Sequence, residues 1–208
     1  AALITNMDSP LGHNIGNSLE VIEAVETLKG KGPADLTEVC LQLASNMLYL
    51  AGKGTEAECR VLAENAVKSG AALERLVAMV EAQGGDSEVI LNPDKFEKAP
   101  YVYEVKAEKD GYITHIDAEG CGIASAMLGA GRETKESEID YTAGIILHKK
   151  TGEKVNKGDV LAALYTSKEE LFEAAAEKYK KSIFIEQEAP KKEPLVYARV
   201  TPKGIEKY

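Results

Sequence analysis

Apolar residues recur every three or four positions between residues 10 and 83, the spacing of α-helices that bury one face. Asn17 and Glu20 have the spacing of a capping box and predict the start of a first helix. Gly30 follows the last apolar position of this pattern, so we expect the helix to end there.

Three more helices are predicted from the same spacing. Pro33 opens the second in its first turn, and Thr55 with Glu58 forms a capping box at the start of the third. A fourth is expected over residues 71–82. The apolar positions expected to be buried are Leu36, Val39, Cys40, Leu43, Met47 and Leu50 in the second helix and Val61, Leu62, Ala66 and Val67 in the third.

Residues 1–7 are predicted to form an apolar strand, with neither an initiator methionine nor a polar lead-in. A strand of this kind is usually buried on both faces, so its partners must come from elsewhere in a larger sheet. N-terminal processing or an ordinary edge strand would also explain it. We favour the interpretation that the chain is a fragment.

Beyond a connector at residues 86–100 the spacing of apolar residues changes from that of helices to that of strands. The boundary is placed near Ala99, which gives two domains, 1–99 and 100–208. Strands are predicted at 101–107, 112–116, 144–148, 182–185 and 195–200, with a helix near 168–181. Residues 155–163 are predicted to contain a turn at 157–159 that leads into another strand. The predicted fold class is α/β (α+β overall): the helical C-terminal part of an α/β domain followed by a small β-rich domain.

The β-rich part resembles the hammerhead or barrel-sandwich fold of biotinyl and lipoyl carrier modules. Such a carrier needs a lysine at the tip of an exposed hairpin. Lys149, Lys150 and Lys168 are the nearest candidates, but none has the flanking residues of a carrier. A non-enzymatic carrier or interaction module is therefore kept as an alternative.

Charge and cysteine content narrow the classes of function. The chain of 208 residues has a net charge of −9, which argues against sequence-independent binding to nucleic acid. Its apolar runs fall short of the roughly 20 residues of a membrane span. Three cysteines, Cys40, Cys59 and Cys121, have no zinc-site spacing, and their odd number favours a reducing, cytoplasmic setting.

The residues by themselves indicate no catalytic centre. His13, His115 and His148 have no partners at the spacing of a metal site or a triad, so we expect structural or surface histidines. The small-residue segment 120–131, GCGIASAMLGAG, lacks the pattern of a phosphate-binding loop. It is interpreted mainly as a packing segment, with ligand contact as the alternative.

Several longer motifs, in order along the chain, carry a family resemblance. Residues 7–24 read MDSPLGHNIGNSLEVIEA, and they are followed by AQGGD at 82–86, DGYI at 110–113, LGAGR at 128–132 and GIILHKKTGEKVNKGD at 144–159. In these motifs the chain resembles the pyrimidine-nucleoside and thymidine phosphorylases. The resemblance covers nearly all of this chain and about half of the family's chain.

The resemblance implies reversible phosphorolysis of uridine or thymidine by phosphate, giving a free base and a pentose 1-phosphate. The family's phosphate loop and base-binding residues lie in its N-terminal half, so no catalytic or substrate-binding residue is assigned here. The complete enzyme is expected to be a cytoplasmic homodimer without an organic cofactor. The LGAGR motif and the strands near His148 are expected to make interdomain contacts. A relative acting on nucleotides, or more distantly a phosphoribosyltransferase, is the enzymatic alternative.

One site is implied within this segment. Bacterial members of the family hold a potassium ion near the phosphate loop, and the resemblance places its ligands here at the backbone carbonyls of Leu11 and Asn14 and the carboxylate of Glu23. Oxygen donors of this kind suit a hard cation. The alternative for Glu23 is a solvated residue on a helix surface.

Overall fold

The computed structural model describes residues 1–132 and 134–208, which form two compact units. The first unit contains Ala1–Asn6, Ile22–Phe96 and Glu193–Tyr208, and the second contains Met7–Val21 and Glu97–Lys192. Each unit is therefore assembled from separated stretches of the chain.

The helical part of the chain lies mainly before residue 97. Its helices are α1 (Asn17–Leu28), α2 (Ala34–Leu50), α3 (Glu56–Lys68), α4 (Ala71–Ala82) and the short α5 (Glu88–Leu91), followed by a 3-10 turn at Pro93–Lys95. Later in the chain come α6 (Ala118–Ser125), which continues into a π-helical turn (Ala126–Ala130), and α7 (Phe172–Lys181).

The predicted capping boxes have different outcomes. The Thr55 and Glu58 box is confirmed, because the Thr55 hydroxyl accepts from the Glu58 N–H and the Thr55 N–H donates to Glu58 Oε2 at 2.8 Å. At α1 the predicted cap is one residue off. Glu20 Oε1 accepts from the Gly16 N–H at 2.9 Å, while the Asn17 side chain donates to a distant carbonyl.

Ten strands lie before, between and after these helices in the part of the chain that the structure describes. They are β1 (Ala2–Thr5), β2 (Asn14–Gly16), β3 (Tyr101–Lys106), β4 (Gly111–Ile116), β5 (Gly144–Leu147), β6 (Lys154–Val155), β7 (Val160–Thr166), β8 (Ile183–Glu186), β9 (Val196–Thr201) and β10 (Gly204–Lys207) among the described residues. The first unit contains the sheet β1-β9-β10, and the second contains β2-β5-β7-β3 and β6-β4-β8. All of the pairings are antiparallel.

The first strand has its partner within this chain. β1 pairs with β9, with Leu3 opposite Arg199 and Ile4 opposite Ala198. Arg199 also joins β9 to the helices of the same unit. Its guanidinium is almost fully buried, forms an ion pair with Glu56 at the start of α3, and lies 4.9 Å from the ring centroid of Tyr49 on α2.

The second unit has a continuous apolar core. This core is made of Val105, Ala107, Ile113, Ile116, Cys121, Ala124, Leu128, Ala143, Ile145, Leu147, Val155, Leu161, Ala162, Leu164, Phe172, Ala175, Ala176 and Tyr179. Both of its sheets and both of its later helices, α6 and α7, contribute. The small-residue segment 120–131 supplies Cys121, Ala124 and Leu128, which supports the packing interpretation.

The first unit buries far less, and here the predicted faces are wrong. Its buried apolar residues are Val25, Val39, Cys59, Ala63, Ile90, Val196 and Ala198. In α2 the supposedly buried Leu43, Met47 and Leu50 are 46%, 70% and 60% exposed, and in α3 Val61 and Leu62 are exposed as well. Of the residues predicted to be buried in α2, Val39 is buried and Cys40 is exposed, so the predicted apolar face is only partly covered by the described residues of the first unit.

The predicted α+β class is confirmed by this mixture of helices and small antiparallel sheets. Strands within the described residues form no closed barrel. Among those same residues no helix has the length and apolar character needed to cross a bilayer.

Asp140 joins the π-helical turn to the end of β7 in the second unit. Its N–H donates to the Gly129 carbonyl, and its carboxylate accepts from the Thr142 N–H and hydroxyl and from the Ser167 N–H, at 2.6–2.9 Å. Burial by itself would raise the pKa of Asp140, but the hydrogen bonds from Thr142 and Ser167 outweigh it and hold the pKa below its ordinary value of 3.8.

We expect Asp140→Asn to destabilise the chain by about 1 kcal/mol at neutral pH, because an amide can accept fewer of these bonds and the group is only partly buried. A lowered folded pKa means that this contribution is complete above pH 3.8 and is lost as the pH falls through the folded value. Denaturant unfolding of both proteins from pH 7 to pH 3 measures the difference. A difference that stays constant across this range would contradict the assignment.

Candidate functional site

The motif loop, residues 7–19, belongs to the second unit, where β2 forms one edge of the four-stranded sheet. The loop is held there by an exchange of hydrogen bonds with Leu147. The Leu147 N–H donates to the His13 carbonyl at 2.8 Å, and His13 Nδ1 lies 2.9 Å from the Leu147 carbonyl. Since a carbonyl only accepts, this contact places the proton of His13 on Nδ1.

A lysine ammonium lies against the loop's carbonyl groups. Lys150 Nζ donates to the carbonyl oxygens of Pro10 and Gly12, which flank Leu11. The side chain reaches them from the turn that follows β5. The carbonyl oxygens of Pro10 and Gly12 therefore face a cation, and that cation is the Lys150 ammonium.

Most of the motif's polar side chains hold the backbone in place. Asn17 Nδ2 donates to the Ala130 carbonyl at 2.8 Å, and the Ser18 hydroxyl donates to the Tyr141 carbonyl at 2.7 Å. From the other side, the Ser125 hydroxyl donates to the Ile15 carbonyl at 3.0 Å. These contacts join the loop to α6, to the π-helical turn and to the segment before β5.

Two glycines permit the close approach of β2 to β5. Gly16 lies opposite Gly144 in the ladder. A Cβ at Gly16 would come within 2.6 Å of the Ala143 carbonyl oxygen, and one at Gly144 within 2.4 Å of the Ile15 carbonyl oxygen. Any side chain at either position would force the strands apart, so the close approach of the strands requires glycine at both positions.

The three predicted potassium ligands occupy different parts of the chain. Leu11 and Asn14 lie in the second unit and Glu23 in the first. The Asn14 side chain donates to the Leu19 carbonyl at 2.8 Å. In the antiparallel ladder, the bond at His13 directs the neighbouring Asn14 carbonyl away from β5. The site as a set of three ligands stays a prediction.

Glu23 is not the solvated surface residue of the alternative interpretation. Only 9% of it is exposed, and Val25 and Thr27 are the other buried residues of α1. The Thr27 hydroxyl donates to the Glu23 backbone carbonyl at 2.8 Å. A carboxylate this well buried is normally paired with a cation or with hydrogen-bond donors.

The remaining candidates have structural surroundings. His115 packs on Phe184 and is exposed, as is His148. All three cysteines are free thiols, and burial raises the pKa of Cys121 to about 12. Within residues 1–132 and 134–208, no three His, Cys, Asp or Glu side chains are grouped as metal ligands.

The carrier lysines differ in accessibility. Lys149 pairs with Glu153 at 3.7 Å, and Lys150 is committed to the motif loop, so neither is a free lysine at a hairpin tip. Lys168 is exposed but precedes the turn leading into α7. Sequence reasoning weighed Lys150 only as a carrier residue and missed its contacts with Pro10 and Gly12. Its place within the motif at 144–159 was the available signal.

Comparisons with known proteins agree with the motifs that hold this loop. Residues 112–186 match the model of the pyrimidine nucleoside phosphorylase C-terminal domain. Curated pyrimidine-nucleoside phosphorylases from Geobacillus stearothermophilus and from Staphylococcus aureus (strain USA300) are each 47% identical over 171 residues. These matches cover 82% of this chain and 40% of each relative.

The resemblance recognised in the sequence is thereby confirmed. The chain belongs with the pyrimidine-nucleoside phosphorylase family and corresponds to its C-terminal part. It spans about 40% of the length of the curated relatives it matches.

We expect Lys150→Met to destabilise the attachment of the motif loop by about 1–3 kcal/mol, the usual range for hydrogen bonds to a charged group. Hydrogen–deuterium exchange should then become faster in residues 7–14. The matched control is Lys149→Met, because the ion pair of Lys149 with Glu153 is partly exposed and does not involve the loop, so loop exchange should be unchanged. Equal effects of the two substitutions would show that Lys150 does not hold the loop.

Proposed function

We propose that this chain is the C-terminal part of a pyrimidine-nucleoside phosphorylase and that it completes the active site without supplying the reacting groups. The observation that supports this most is the attachment of the motif loop. Its polar side chains at positions 13, 14, 17 and 18 are used in contacts with the chain itself. Such contacts are those of a positioning element.

In the proposed reaction, an oxygen of phosphate forms a bond to the anomeric carbon of the nucleoside as the bond from that carbon to the base breaks. The base leaves with the bonding electron pair and takes up the proton that the phosphate gives up, and the sugar is released as its 1-phosphate. Positive charge builds on the sugar ring in the transition state, and negative charge builds on the base. The groups that stabilise these charges are proposed to lie in the part of the relatives that this chain does not match.

The chain's own contribution is to position a cation site. Leu11 and Asn14 would offer backbone carbonyls and Glu23 a carboxylate, a donor set suited to potassium. The Lys150 contact supports this fit, because the neighbouring carbonyls of Pro10 and Gly12 already face a cation. A bound potassium ion would supply positive charge and order oxygen ligands near the phosphate.

The expected setting follows from the same proposal. Phosphate and a pyrimidine nucleoside would be the substrates, and a homodimer is the proposed assembly of the complete enzyme. A cytoplasmic location agrees with three free thiols. LGAGR at 128–132 and the strands near His148 would serve domain movement. Preference between uridine and thymidine would depend on groups outside this chain.

We expect the 208-residue chain alone to show no phosphorolysis of uridine or thymidine. Activity should appear in the fused chain, defined as the unmatched N-terminal part of the Geobacillus stearothermophilus relative joined in front of Ala1. The activity of each protein is measured as the release of free base from uridine or thymidine in the presence of phosphate. AMP is supplied as the substrate that tests the nucleotide alternative. Circular dichroism confirms that the fused chain is folded.

Two results would contradict this division of labour. Turnover by the 208-residue chain alone would place reacting groups within it. A folded fused chain without turnover of uridine or thymidine would remove the proposed function, and turnover of AMP in their place would favour the nucleotide alternative.

We also expect Glu23→Gln to weaken potassium activation of the fused chain by roughly tenfold or more, because a neutral amide loses the charge that attracts the ion. Titrating potassium at constant ionic strength gives the activation constant. Glu26→Gln on the same helix is the control, since Glu26 pairs with Lys29 at the surface. An unchanged activation constant in Glu23→Gln would exclude Glu23 as a ligand.

A further inference from the structure

We propose that Lys150 is a positioning residue of the cation site, because its ammonium fixes the backbone that would present the Leu11 carbonyl to potassium. The inference rests on the proposed function for the presence of that site. It adds a residue that acts through the carbonyl groups of the motif loop and does not itself bind the ion. The lysine turn is defined as residues 150–153, which follow β5.

The backbone on both sides of Leu11 is held by one ammonium group. Lys150 Nζ donates to the carbonyl oxygens of Pro10 and Gly12. Since a carbonyl oxygen lies in the rigid plane of its peptide bond, these contacts fix the peptide planes before and after the one that carries the Leu11 carbonyl. Pro10 has a fixed φ, and Gly12 adopts a φ of 70°, which favours glycine. The two neighbours therefore set the direction of the Leu11 carbonyl.

The Leu11 carbonyl has a different environment from its neighbours. No backbone N–H in the described part of the chain donates to it. Leu11 is 42% exposed, whereas Pro10 and Gly12 are buried. A carbonyl oxygen held in a fixed direction is the kind of ligand that a hard cation prefers. The bend thus directs two carbonyls at lysine and holds the one between them in place.

The lysine turn is itself firmly attached to the sheets of the second unit. The Glu153 N–H donates to the Lys150 carbonyl at 3.1 Å, and the Lys150 N–H donates to Glu153 Oε1 at 3.0 Å. The Gly152 N–H donates to the carbonyl of Ile113, on β4, at 2.7 Å. Because the turn is fixed in this way, the ammonium is carried by a rigid element, as a positioning group must be.

A second contact joins the motif loop to the same turn without a charge. Ser9 Oγ and Thr151 Oγ1 lie 3.1 Å apart at the surface. A hydrogen bond between neutral hydroxyl groups is weaker than one from an ammonium. Removing it would loosen the loop while the carbonyls of Pro10 and Gly12 stay on the ammonium. Ser9 is therefore the matched comparison for Lys150.

The charge of Lys150 has two opposing effects on a nearby cation. It repels the ion, and it orders the oxygen ligands. The repulsion is reduced because two carbonyl oxygens contact the ammonium and because Lys150 is only half-buried, so that solvent screens it. Contacts that orient metal ligands commonly contribute about 10–100-fold in affinity. We therefore expect the ordering effect to be the larger one.

The test is a potassium titration of the fused chain at constant ionic strength. The two readouts are the rise in unfolding temperature with potassium and the activation constant. Lys150→Met should weaken potassium affinity about tenfold or more, with KM for uridine and kcat at saturating potassium within about twofold of wild type. Lys150→Arg keeps the charge and the N–H donors, so its affinity should stay within about threefold of wild type.

Two further variants are the controls. Lys149→Met removes a neighbouring charge and Ser9→Ala loosens the loop, and each should leave potassium affinity within about twofold of wild type. Circular dichroism verifies the folding of every variant. Lys150→Gln, which also loses the charge, takes the place of Lys150→Met if the methionine variant is unfolded, with the same expected loss.

Three results would overturn the positioning role. Unchanged potassium affinity in Lys150→Met would show that the ammonium does not order the ligands. Tighter binding in this variant would show that repulsion outweighs ordering. An equal loss of affinity in Ser9→Ala would show that any loosening of the loop has the same effect.

The unfolding temperature separates this inference from the proposed function. A loss of potassium stabilisation in Lys150→Met, but not in Lys149→Met or Ser9→Ala, supports the positioning role even if the fused chain has no phosphorylase activity. Phosphorolysis by a fused chain whose rate and unfolding temperature do not respond to potassium supports the function and overturns the positioning role.

Discussion

The second unit depends on the close approach of β2 to β5, where two glycines face each other. Gly16 and Gly144 leave space for carbonyl oxygens that any Cβ would meet at 2.4–2.6 Å. Because these strands lie close together, His13 exchanges hydrogen bonds with Leu147, and Lys150 reaches the carbonyls of the preceding bend. The motif loop thereby becomes part of a unit whose other residues begin at Glu97, and its contact with Leu147 spans more than a hundred residues of sequence.

The two units differ in how completely they bury their apolar residues. The second has a continuous core built from two sheets and two helices. The first leaves most of the apolar face of α2 exposed, and three buried polar atoms in it have no partner among the described residues. Burial of apolar surface is the main favourable contribution to folding, so the first unit gains less from its own contacts.

Helix and strand positions could largely be predicted from the sequence because local chemistry specifies them. The Thr55 and Glu58 capping box and the start of α2 after Pro33 follow from hydrogen bonds within a few residues. Burial could not be predicted in the same way. The spacing of Leu43, Met47 and Leu50 shows which side of α2 is apolar, whereas covering that side needs atoms from outside the helix. Asn17 shows a similar limit, since its side chain donates to Ala130, a residue 113 positions away.

Sequence by itself determined the α+β class, the order of helices and strands, and the family, because periodicity, caps and long motifs are properties of neighbouring residues. It also located the motif loop as the segment of interest. Only the tertiary structure showed that Lys150 directs its charge at residues 10–12, that Glu23 is buried, and that β1 pairs with the last strands of the chain. These contacts join residues far apart in sequence, and their energies depend on distances and burial that exist only after the chain has folded.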